Sequence, residues 1–346
     1  MNVDVPQKFL PLGLVRLLAS SAGTKILAKI LNNLNPLSSN DLLDRYVNFL
    51  ITSKLGSQKV IFEQCKKFYP DDTRFVVLPM DMAFMGAGKV PRDYQDQLDE
   101  LCNMANESGS VIPFMHIDPR RKGVFDLFRR YVEEKGVRGV KLYPPLGYFP
   151  YDQALYPIYE YCEKHKLPVI SHCSPFNLVH FRGSRKEVEL LLAKSLTPID
   201  TKGKKKKELY PYFAHPSNYE TILNDFKKLK ICVAHFGSGH YWKEYLENPS
   251  ADDNWFTIIR RMIEKYDNFY TDVSFTLNNG HYFSLLKVLM YNVKLNRKIL
   301  FGSDYYMVET KTDERRFGID LRAFLGNDYF SLISEANPET FLGIKK

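Results

Sequence analysis

The stretch Ile299-Leu-Phe-Gly-Ser-Asp-Tyr-Tyr306 begins as an apolar run and stops on Gly302, Ser303 and Asp304. A short apolar run bounded by such polar residues is typical of a buried strand. The carboxylate at its end therefore needs an explanation, and the other apolar runs of the chain supply it.

Seven runs of this kind alternate with longer amphipathic stretches from residue 75 onward. The alternation predicts parallel strands joined by crossover helices. The predicted strands cover residues 75–80, 111–116, 137–142, 168–172, 231–235, 269–274 and 299–301. The predicted helices between them cover residues 94–107, 124–135, 153–165, 219–229 and 255–266.

The spacing of these units favours one closed α/β barrel. Most strand and helix units take about 30 to 40 residues, which suits a (β/α)8 TIM barrel, and we expect residues 1–346 to form a single domain. Residues 1–74 look helical, so the barrel lacks its first strand in this sequence. Residues 174–218 interrupt the rhythm and are expected to form a long loop or helical insertion.

The composition limits the classes of protein to which the chain can belong. With 45% hydrophobic and 25% charged residues the chain can bury a large core. The five cysteines are odd in number and scattered, which indicates a reducing compartment, and no secretory signal is evident. We therefore expect a cytoplasmic protein. No apolar run predicts a membrane span, although a membrane-surface helix at residues 10–34 is an alternative to a helix packed on the barrel.

The net charge of +8 comes largely from the lysine-rich segment 202–207. A solvated loop explains this segment, because no signature of a nucleic-acid-binding fold accompanies it. We expect a small-molecule substrate and no nucleic-acid partner. A homodimer is expected by analogy with other barrels.

The predicted strands end on polar side chains. In such barrels the carboxyl ends of the strands face one mouth, where the chemistry takes place. His172, His235 and Asp304 each end a strand, and two imidazoles with a carboxylate favour zinc or a similar divalent ion. A single histidine after a strand is as often a hydrogen-bonded loop residue, but the agreement among several strand ends favours a metal site. Asp81 and Asp272 are expected to support the site or to cap loops.

The sequence resembles the amidohydrolase superfamily, within its amidohydrolase-related group, which includes decarboxylases of the aminocarboxymuconate-semialdehyde type as well as hydrolases. The resemblance runs from about residue 75 to the end. It rests on Phe114-Met-His-Ile-Asp-Pro119, Gly139-Val-Lys-Leu-Tyr-Pro144, Pro168-Val-Ile-Ser-His172, Leu229-Lys-Ile-Cys-Val-Ala-His-Phe-Gly237, Phe269-Tyr-Thr-Asp-Val-Ser274, Ile299-Leu-Phe-Gly-Ser-Asp304 and Asn337-Pro-Glu-Thr-Phe-Leu-Gly343.

The resemblance implies roles for the residues at the strand ends. His172 would bind the metal, and Asp304 would bind the metal or move a proton. His235 would be a second ligand or an acid/base residue. Lys141 occupies a position where some members carry a carbamylated lysine, but a phosphate or carboxylate contact or a structural role is favoured here.

The sequence departs from the family pattern at its beginning. Family members start with a strand ending in His-x-His, which gives two metal ligands, and this sequence has no histidine before His116. We expect either that Met1 is internal to a longer protein, which is the favoured interpretation, or that this is a diverged member with a reduced site.

The expected function is metal-dependent hydrolysis of a C–N or C–O bond, or non-oxidative decarboxylation, with a small organic acid, amide or lactone as substrate. In the hydrolytic version Asp304 deprotonates a water activated by the metal while His235 polarises the carbonyl. The expected substrate-binding residues are Lys141, Tyr143, His116, Arg121 and His215. The alternative is a catalytically impaired or truncated barrel that binds a ligand or a partner.

Overall fold

The computed structural model describes residue 52 and residues 56–176, 179–278 and 280–344. Within these residues all strand pairs are parallel. The strands are β1 Phe75–Val77, β2 Val111–Pro113, β3 Met115–His116, β4 Val140–Leu142, β5 Val169–Ser171, β6 Ile231–Val233, β7 Phe269–Asp272 and β8 Ile299–Leu300. Each of the seven predicted runs contains an observed strand, so the prediction of parallel strands is confirmed.

The predicted run 111–116 forms two strands because its partner changes at Phe114. The Phe114 amide donates to the carbonyl oxygen of Val77 (3.2 Å), beside β1, whereas the next amide, of Met115, donates to the carbonyl oxygen of Gly139 (3.0 Å), beside β4. One continuous stretch of chain therefore links the two-stranded sheet β1-β2 to the six-stranded sheet β3-β4-β5-β6-β7-β8.

The resulting strand path is that of a (β/α)8 barrel with one strand position unfilled. The path runs from β1 through the β2 and β3 stretch to β8, each strand beside the next in the chain. Among the described residues no strand pairs with both β8 and β1. The barrel fold is confirmed, and the prediction that its first strand is lacking concerns residues 1–74, most of which lie outside the described residues.

Fourteen α-helices lie in the described part of the chain. They are α1 Gln58–Lys66, α2 Tyr94–Ser108, α3 Val124–Lys135, α4 Tyr156–His165, α5 Arg185–Leu192, α6 Pro211–Ala214, α7 Glu220–Asp225, α8 Gly239–Glu247, α9 Trp255–Lys265, α10 Phe283–Met290, α11 Val293–Asn296, α12 Glu314–Leu325, α13 Asn327–Ser331 and α14 Asn337–Leu342.

The five predicted helices are confirmed. The helix 124–135 has the predicted bounds, the helices predicted at 94–107 and 255–266 differ from the observed ones by one residue, and the other two differ more. The predicted helix 153–165 opens with a 3-10 turn, Gln153–Leu155, before α4. The predicted helix 219–229 stops at Asp225, because Phe226 leaves the helical conformation (φ −121°, ψ 77°) and packs on Tyr156 with 5.4 Å between ring centroids. The helix predicted at 10–34 lies outside the described residues.

The segment 174–218 carries α5, α6 and two 3-10 turns. Ser184 and Glu187 form a capping box at the start of α5. Arg185 on this helix donates to the carbonyl oxygen of Thr201 (2.8 Å) and to that of Lys204. These bonds attach the lysine-rich segment to α5, and Lys202, Lys205 and Lys207 are exposed to solvent.

The core has two layers and a separate small cluster of Phe62, Leu101, Met104 and Val111. The larger layer lies between the strands and the helices, and the smaller one fills the inside of the strand ring. Gly139 is required at the inner layer, since a Cβ atom there would lie 2.4 Å from Cζ of Phe114. The inner layer consists of Ile112, Phe114, Ile170, Cys232, Tyr270, Leu300 and Phe341.

All five cysteines are buried and free of disulfide bonds. Among the helices described, none combines the length and the apolar character needed to cross a membrane.

Candidate functional site

Polar side chains follow the inner core layer toward the mouth of the barrel. Residues two apart in a strand share a face. Because Phe114 and Ile170 belong to the inner layer, the next positions on that face are His116 and His172. Lys141 pairs in register with both His116 and Ile170, so its side chain lies on the same face of the sheet.

His235 is held in an unusual backbone conformation at the end of β6. Its φ is +69° and that of Phe236 is +43°, which is the left-handed region that non-glycine residues rarely occupy. The His235 amide donates to Oδ1 of Asp272 (3.0 Å), and Oγ1 of Thr276 donates to the His235 carbonyl oxygen. Backbone strain of this kind costs about 1–3 kcal/mol and is found where a functional side chain must be aimed.

A chain of hydrogen bonds orients the His235 ring. The hydroxyl group of Ser274 donates to Oδ1 of Asp272, so its oxygen is left to accept. Nδ1 of His235 lies 2.9 Å from that hydroxyl oxygen and 3.0 Å from the Ser274 carbonyl oxygen. Both are acceptors for an N–H at Nδ1, and Nε2 of neutral His235 therefore carries the lone pair.

His172 and His235 are in direct contact. Nε2 of His235 lies 3.0 Å from Nδ1 of His172, which donates to it when Nδ1 of His235 is protonated. The His172 ring also stacks on Tyr143 with 4.3 Å between ring centroids and 26° between planes. The structure thus brings together two histidines and a tyrosine that the sequence analysis had placed at the site.

Asp304 follows β8 with a left-handed backbone, at φ +64°. Its side chain reaches solvent, and among the described residues no hydrogen bond or ion pair engages its carboxylate. The loss of water among the strand ends raises the pKa of Asp304 above its ordinary value, while His235 and Lys141 oppose that rise. Asp304 is thus in electrostatic range of both.

Lys141 is a buried cation at the end of β4, 6% exposed. Burial lowers the pKa of its ammonium group, and the carboxylates of Asp304 and Asp272 counteract that effect. Its Nζ lies 5.9 Å from the centroid of the Tyr143 ring. Lys141 therefore belongs to the same polar group as the histidine pair.

His116 and Arg121 are connected through Asp81. The Asp81 amide donates to Nδ1 of His116 (3.0 Å), while its carboxylate accepts from Nε of Arg121 (2.6 Å). Burial lowers the pKa of His116 to about 3, so the ring is neutral. The guanidinium group of Arg121 also lies over the rings of Phe84 and Tyr94. A substrate contact by Arg121 stays a prediction, as does one by His116.

His215 has a local structural partner. Its Nδ1 accepts from the Ser217 amide (3.3 Å) at the start of the 3-10 turn Pro216–Tyr219, and its ring packs edge-on against Trp255. None of the contacts described for His215 reaches the histidine pair. Its role in substrate binding stays a prediction.

The donor types at the mouth suit a divalent cation, but the ligand set is incomplete. Two imidazole nitrogens on one tetrahedral zinc ion lie about 3.4 Å apart, close to the 3.0 Å between His172 and His235. No group of three His, Cys, Asp or Glu side chains in the described ranges is close enough to hold a metal. The residues fit the ion in chemistry and supply only part of its coordination.

The sequence analysis did not identify a buried carboxyl group near Asp304. Glu314, at the start of α12, is 1% exposed and accepts a hydrogen bond from the Tyr69 hydroxyl. Burial raises the pKa of Glu314 to about 7, and Ser303 hydrogen-bonds to it. No signal distinguished Glu314, because an acidic residue in the first turn of a helix is ordinary.

Comparison with known proteins identifies the family and similar barrel structures. The family model described as amidohydrolase matches residues 73–344. An uncharacterized TIM-barrel protein, Bb4693 from Bordetella bronchiseptica, is similar with a TM-score of 0.55 and 19% identity over 84% of each chain. The 5-carboxyvanillate decarboxylase of Novosphingobium aromaticivorans, solved with manganese and 4-hydroxy-3-methoxy-5-nitrobenzoic acid, has a TM-score of 0.52 and 11% identity over 79% of this chain and 76% of that one.

A search of curated proteins finds no match. The structural similarities show the shared barrel, and the family match spans most of the sequence. The chain belongs to the amidohydrolase family, in the amidohydrolase-related group of metal-dependent hydrolases and decarboxylases.

Proposed function

We propose that this chain catalyses metal-dependent hydrolysis of a C–N or C–O bond, or non-oxidative decarboxylation, in a small organic acid, amide or lactone. The observation that carries the proposal is the contact between His172 and His235, 3.0 Å apart, at the mouth of a family-typical barrel. Asp304 lies within electrostatic range of His235 and of Lys141.

His172 and His235 would hold the ion, and the two imidazoles favour zinc over a harder cation. Asp304 would become the third ligand only after a shift of its side chain, because the described residues form no three-ligand group as they stand. When bound, such an ion polarises a substrate carbonyl and lowers the pKa of a water molecule. The described part of the chain supplies fewer protein ligands than a complete site needs, and water or substrate oxygen would occupy the remaining positions.

The protein groups have separate tasks in this scheme. The hydrogen bonds from His235 to Ser274 keep the Nδ1 proton in place, so Nε2 accepts from Nδ1 of His172. A bound ion would take the place of that hydrogen bond between the two rings. Asp304, with its raised pKa, accepts a proton from water and returns it to the leaving group or to carbon. Tyr143, Lys141 and His116 would contact the substrate, with Arg121 and His215 farther out.

Hydrolysis and decarboxylation are separated by their products. Assaying purified protein with a panel of small carboxylic acids, amides and lactones should give either carbon dioxide or a new carboxylate.

We expect His235→Ala to reduce the rate by about a hundredfold or more, the size of a lost acid/base contribution. His165→Ala, an exposed histidine on α4, is the matched control and should leave the rate unchanged. Equal rates in His235→Ala and wild type would refute the proposal.

A ligand-binding or partner-binding barrel is the second candidate. It is favoured by one observation, that the described residues present no three-ligand metal group. A protein of this kind would bind small molecules without turnover and without bound metal. The cytoplasmic location and the homodimer stay predictions.

A further inference from the structure

A group of basic side chains lies at the end of the barrel opposite the mouth. Parallel strands begin at the same end of a barrel, and Lys230 and Lys298 directly precede β6 and β8, while Lys166 lies just before β5. The proposed reaction at the mouth uses none of them. The group, called the basic face below, consists of Lys166, Lys228, Lys230, Lys294, Arg297 and Lys298.

The cations of the basic face are close enough to repel one another. Burial and the charge of Lys166 lower the pKa of Lys230. Burial also lowers the pKa of Lys298, the carboxylate of Asp267 opposes this effect, and the charges of Lys230 and Arg297 lower the pKa further. A neighbouring like charge disfavours the charged form of each group, so an anionic surface placed against this face would relieve the repulsion.

The carboxylates at this end of the barrel do not balance the basic face. Glu163 accepts a hydrogen bond from the backbone amide of Lys228 (2.7 Å), and Glu339 is paired with Arg74 (3.6 Å), outside the basic face. The stretch 273–303, which supplies three members of the face, contains four basic residues and no acidic one. With Asp267 included, the cations outnumber the carboxylates in contact with them, and the face keeps a positive charge.

Apolar side chains are exposed at the same end of the barrel. Helix α10 runs from the end of β7 back toward the start of β8, and the corner 288–293 between α10 and α11 carries Val288, Tyr291 and Val293, which are 63%, 69% and 60% exposed. Nδ2 of Asn296 donates to the carbonyl oxygen of Met290 (2.9 Å) and holds this corner against the segment that leads into β8. Single exposed apolar residues are ordinary, whereas a patch of them marks an interaction surface.

We propose that the basic face and the apolar corner 288–293 form a docking surface for an anionic membrane. Anionic headgroups complement the basic side chains, and the two valines and the tyrosine enter the boundary between headgroups and acyl chains. Exposed aliphatic side chains favour lipid over nucleic acid, which is bound through phosphate contacts and aromatic stacking. A second copy of the chain on this face would bring like charges together. The mouth faces away from the membrane in this arrangement and stays open to solvent.

Co-sedimentation of the full chain with lipid vesicles tests the docking surface. Binding to vesicles of two parts phosphatidylcholine and one part phosphatidylserine should be about tenfold or more stronger than binding to phosphatidylcholine alone, because several basic residues face the anionic lipid. The double variant Lys294→Glu with Arg297→Glu should lose about tenfold or more of this binding, and Tyr291→Ser should weaken it. The control Lys202→Glu with Lys207→Glu makes the same change of net charge in the exposed lysine-rich segment and should bind as the wild type does.

Several results would overturn the inference. Absence of vesicle binding, or equal binding to the two kinds of vesicle, would remove the anionic membrane as partner. Equal losses in the two charge-reversed variants would reduce the effect to net charge. Wild-type binding in the Lys294→Glu and Arg297→Glu variant would assign it to another segment, such as residues 10–34. Tighter binding of single-stranded RNA than of vesicles, lost in the same variant, would make the face a nucleic-acid surface. The comparison of the two vesicles in wild-type protein requires no variant to fold.

Discussion

Two buried titratable side chains near the barrel mouth have pKa values shifted in opposite senses. His116 has its pKa lowered to about 3 by burial, and Glu314 has its pKa raised to about 7 for the same reason. Burial disfavours the charged form of each. The folded state therefore releases a proton at one position and keeps a proton at the other near neutral pH.

His116 makes the fold sensitive to acid. In the unfolded chain the pKa of this histidine is about 6.5, so below that pH the unfolded chain binds the proton and the folded protein does not. The free energy of unfolding therefore falls as pH falls, by about 1.4 kcal/mol per pH unit. Between about pH 7 and about pH 5 the wild type should lose about 2 kcal/mol relative to His116→Gln. Urea unfolding of both proteins at the two pH values measures this difference, and parallel pH profiles would contradict it.

Glu314 changes the pH dependence of stability in the opposite direction. Its folded pKa lies above its unfolded value of 4.5, so the folded state takes up the proton first as pH falls, and stability rises. The wild type should gain about 2 kcal/mol relative to Glu314→Gln over the same interval. The two contributions nearly cancel in the wild type, and only the pair of variants reveals them. A Glu314→Gln protein with the wild-type pH profile would show that the carboxyl group is ionised.

At the scale of the strands and helices, close packing inside the strand ring limits which side chains fit. Gly139 opens β4, and a methyl group there would lie 2.4 Å from the Phe114 ring on the neighbouring strand. Gly139→Ala should lower the free energy of unfolding by about 1–3 kcal/mol through overpacking. Adding Phe114→Leu should recover part of the loss. The control Gly318→Ala, in α12 with no atom within 4 Å, should stabilise by about 0.5–1 kcal/mol.

The last strand depends on a side chain from the last helix. Nδ2 of Asn337 donates to the carbonyl oxygens of Ile299 (2.7 Å) and Asn296 (2.6 Å), and so joins α14 to β8. Asn337→Ala should cost on the order of 2 kcal/mol, since two acceptors lose their donor. Asn248→Ala on an exposed loop end is the control. Equal midpoints of thermal unfolding for the two variants would contradict this role.

The elements were predictable from the sequence because their signals are local. Apolar runs between turn residues located the seven strands, and the periodicity of 124–135 predicted α3 with its observed bounds. The switch of partners at Phe114 was not predictable, since it depends on hydrogen bonds to two different strands. Likewise the early end of α7 follows from the packing of Phe226 on a distant helix.

At the site, residue types were predictable and contacts were not. The strand-end pattern identified His172, His235, Lys141 and Tyr143, which lie together in the structure. The left-handed backbone at His235 and the hydrogen bonds from His235 to Ser274 have no sequence signal, because they depend on the approach of β7. The same holds for the hydrogen bond that His116 accepts from the loop amide of Asp81.

At the scale of the whole molecule, the barrel presents a family-typical mouth with an incomplete set of metal ligands. The family match covers residues 73–344, and the sequence contains no histidine before His116. Among the described residues, His172, His235 and Asp304 are the candidate protein ligands of an ion at this mouth. The affinity of the chain for the ion should be lower than that of a four-ligand protein site.

The metal content of the purified chain is the most direct measurement of this claim. Mass spectrometry of the protein after dialysis against zinc should show an equimolar divalent ion. Folded His172→Ala and Asp304→Ala should lose it, because either change removes one of few protein ligands, and His165→Ala should keep it. An ion-free wild-type protein, or metal contents unchanged in the two site variants, would contradict the metal-dependent mechanism and favour the ligand-binding barrel.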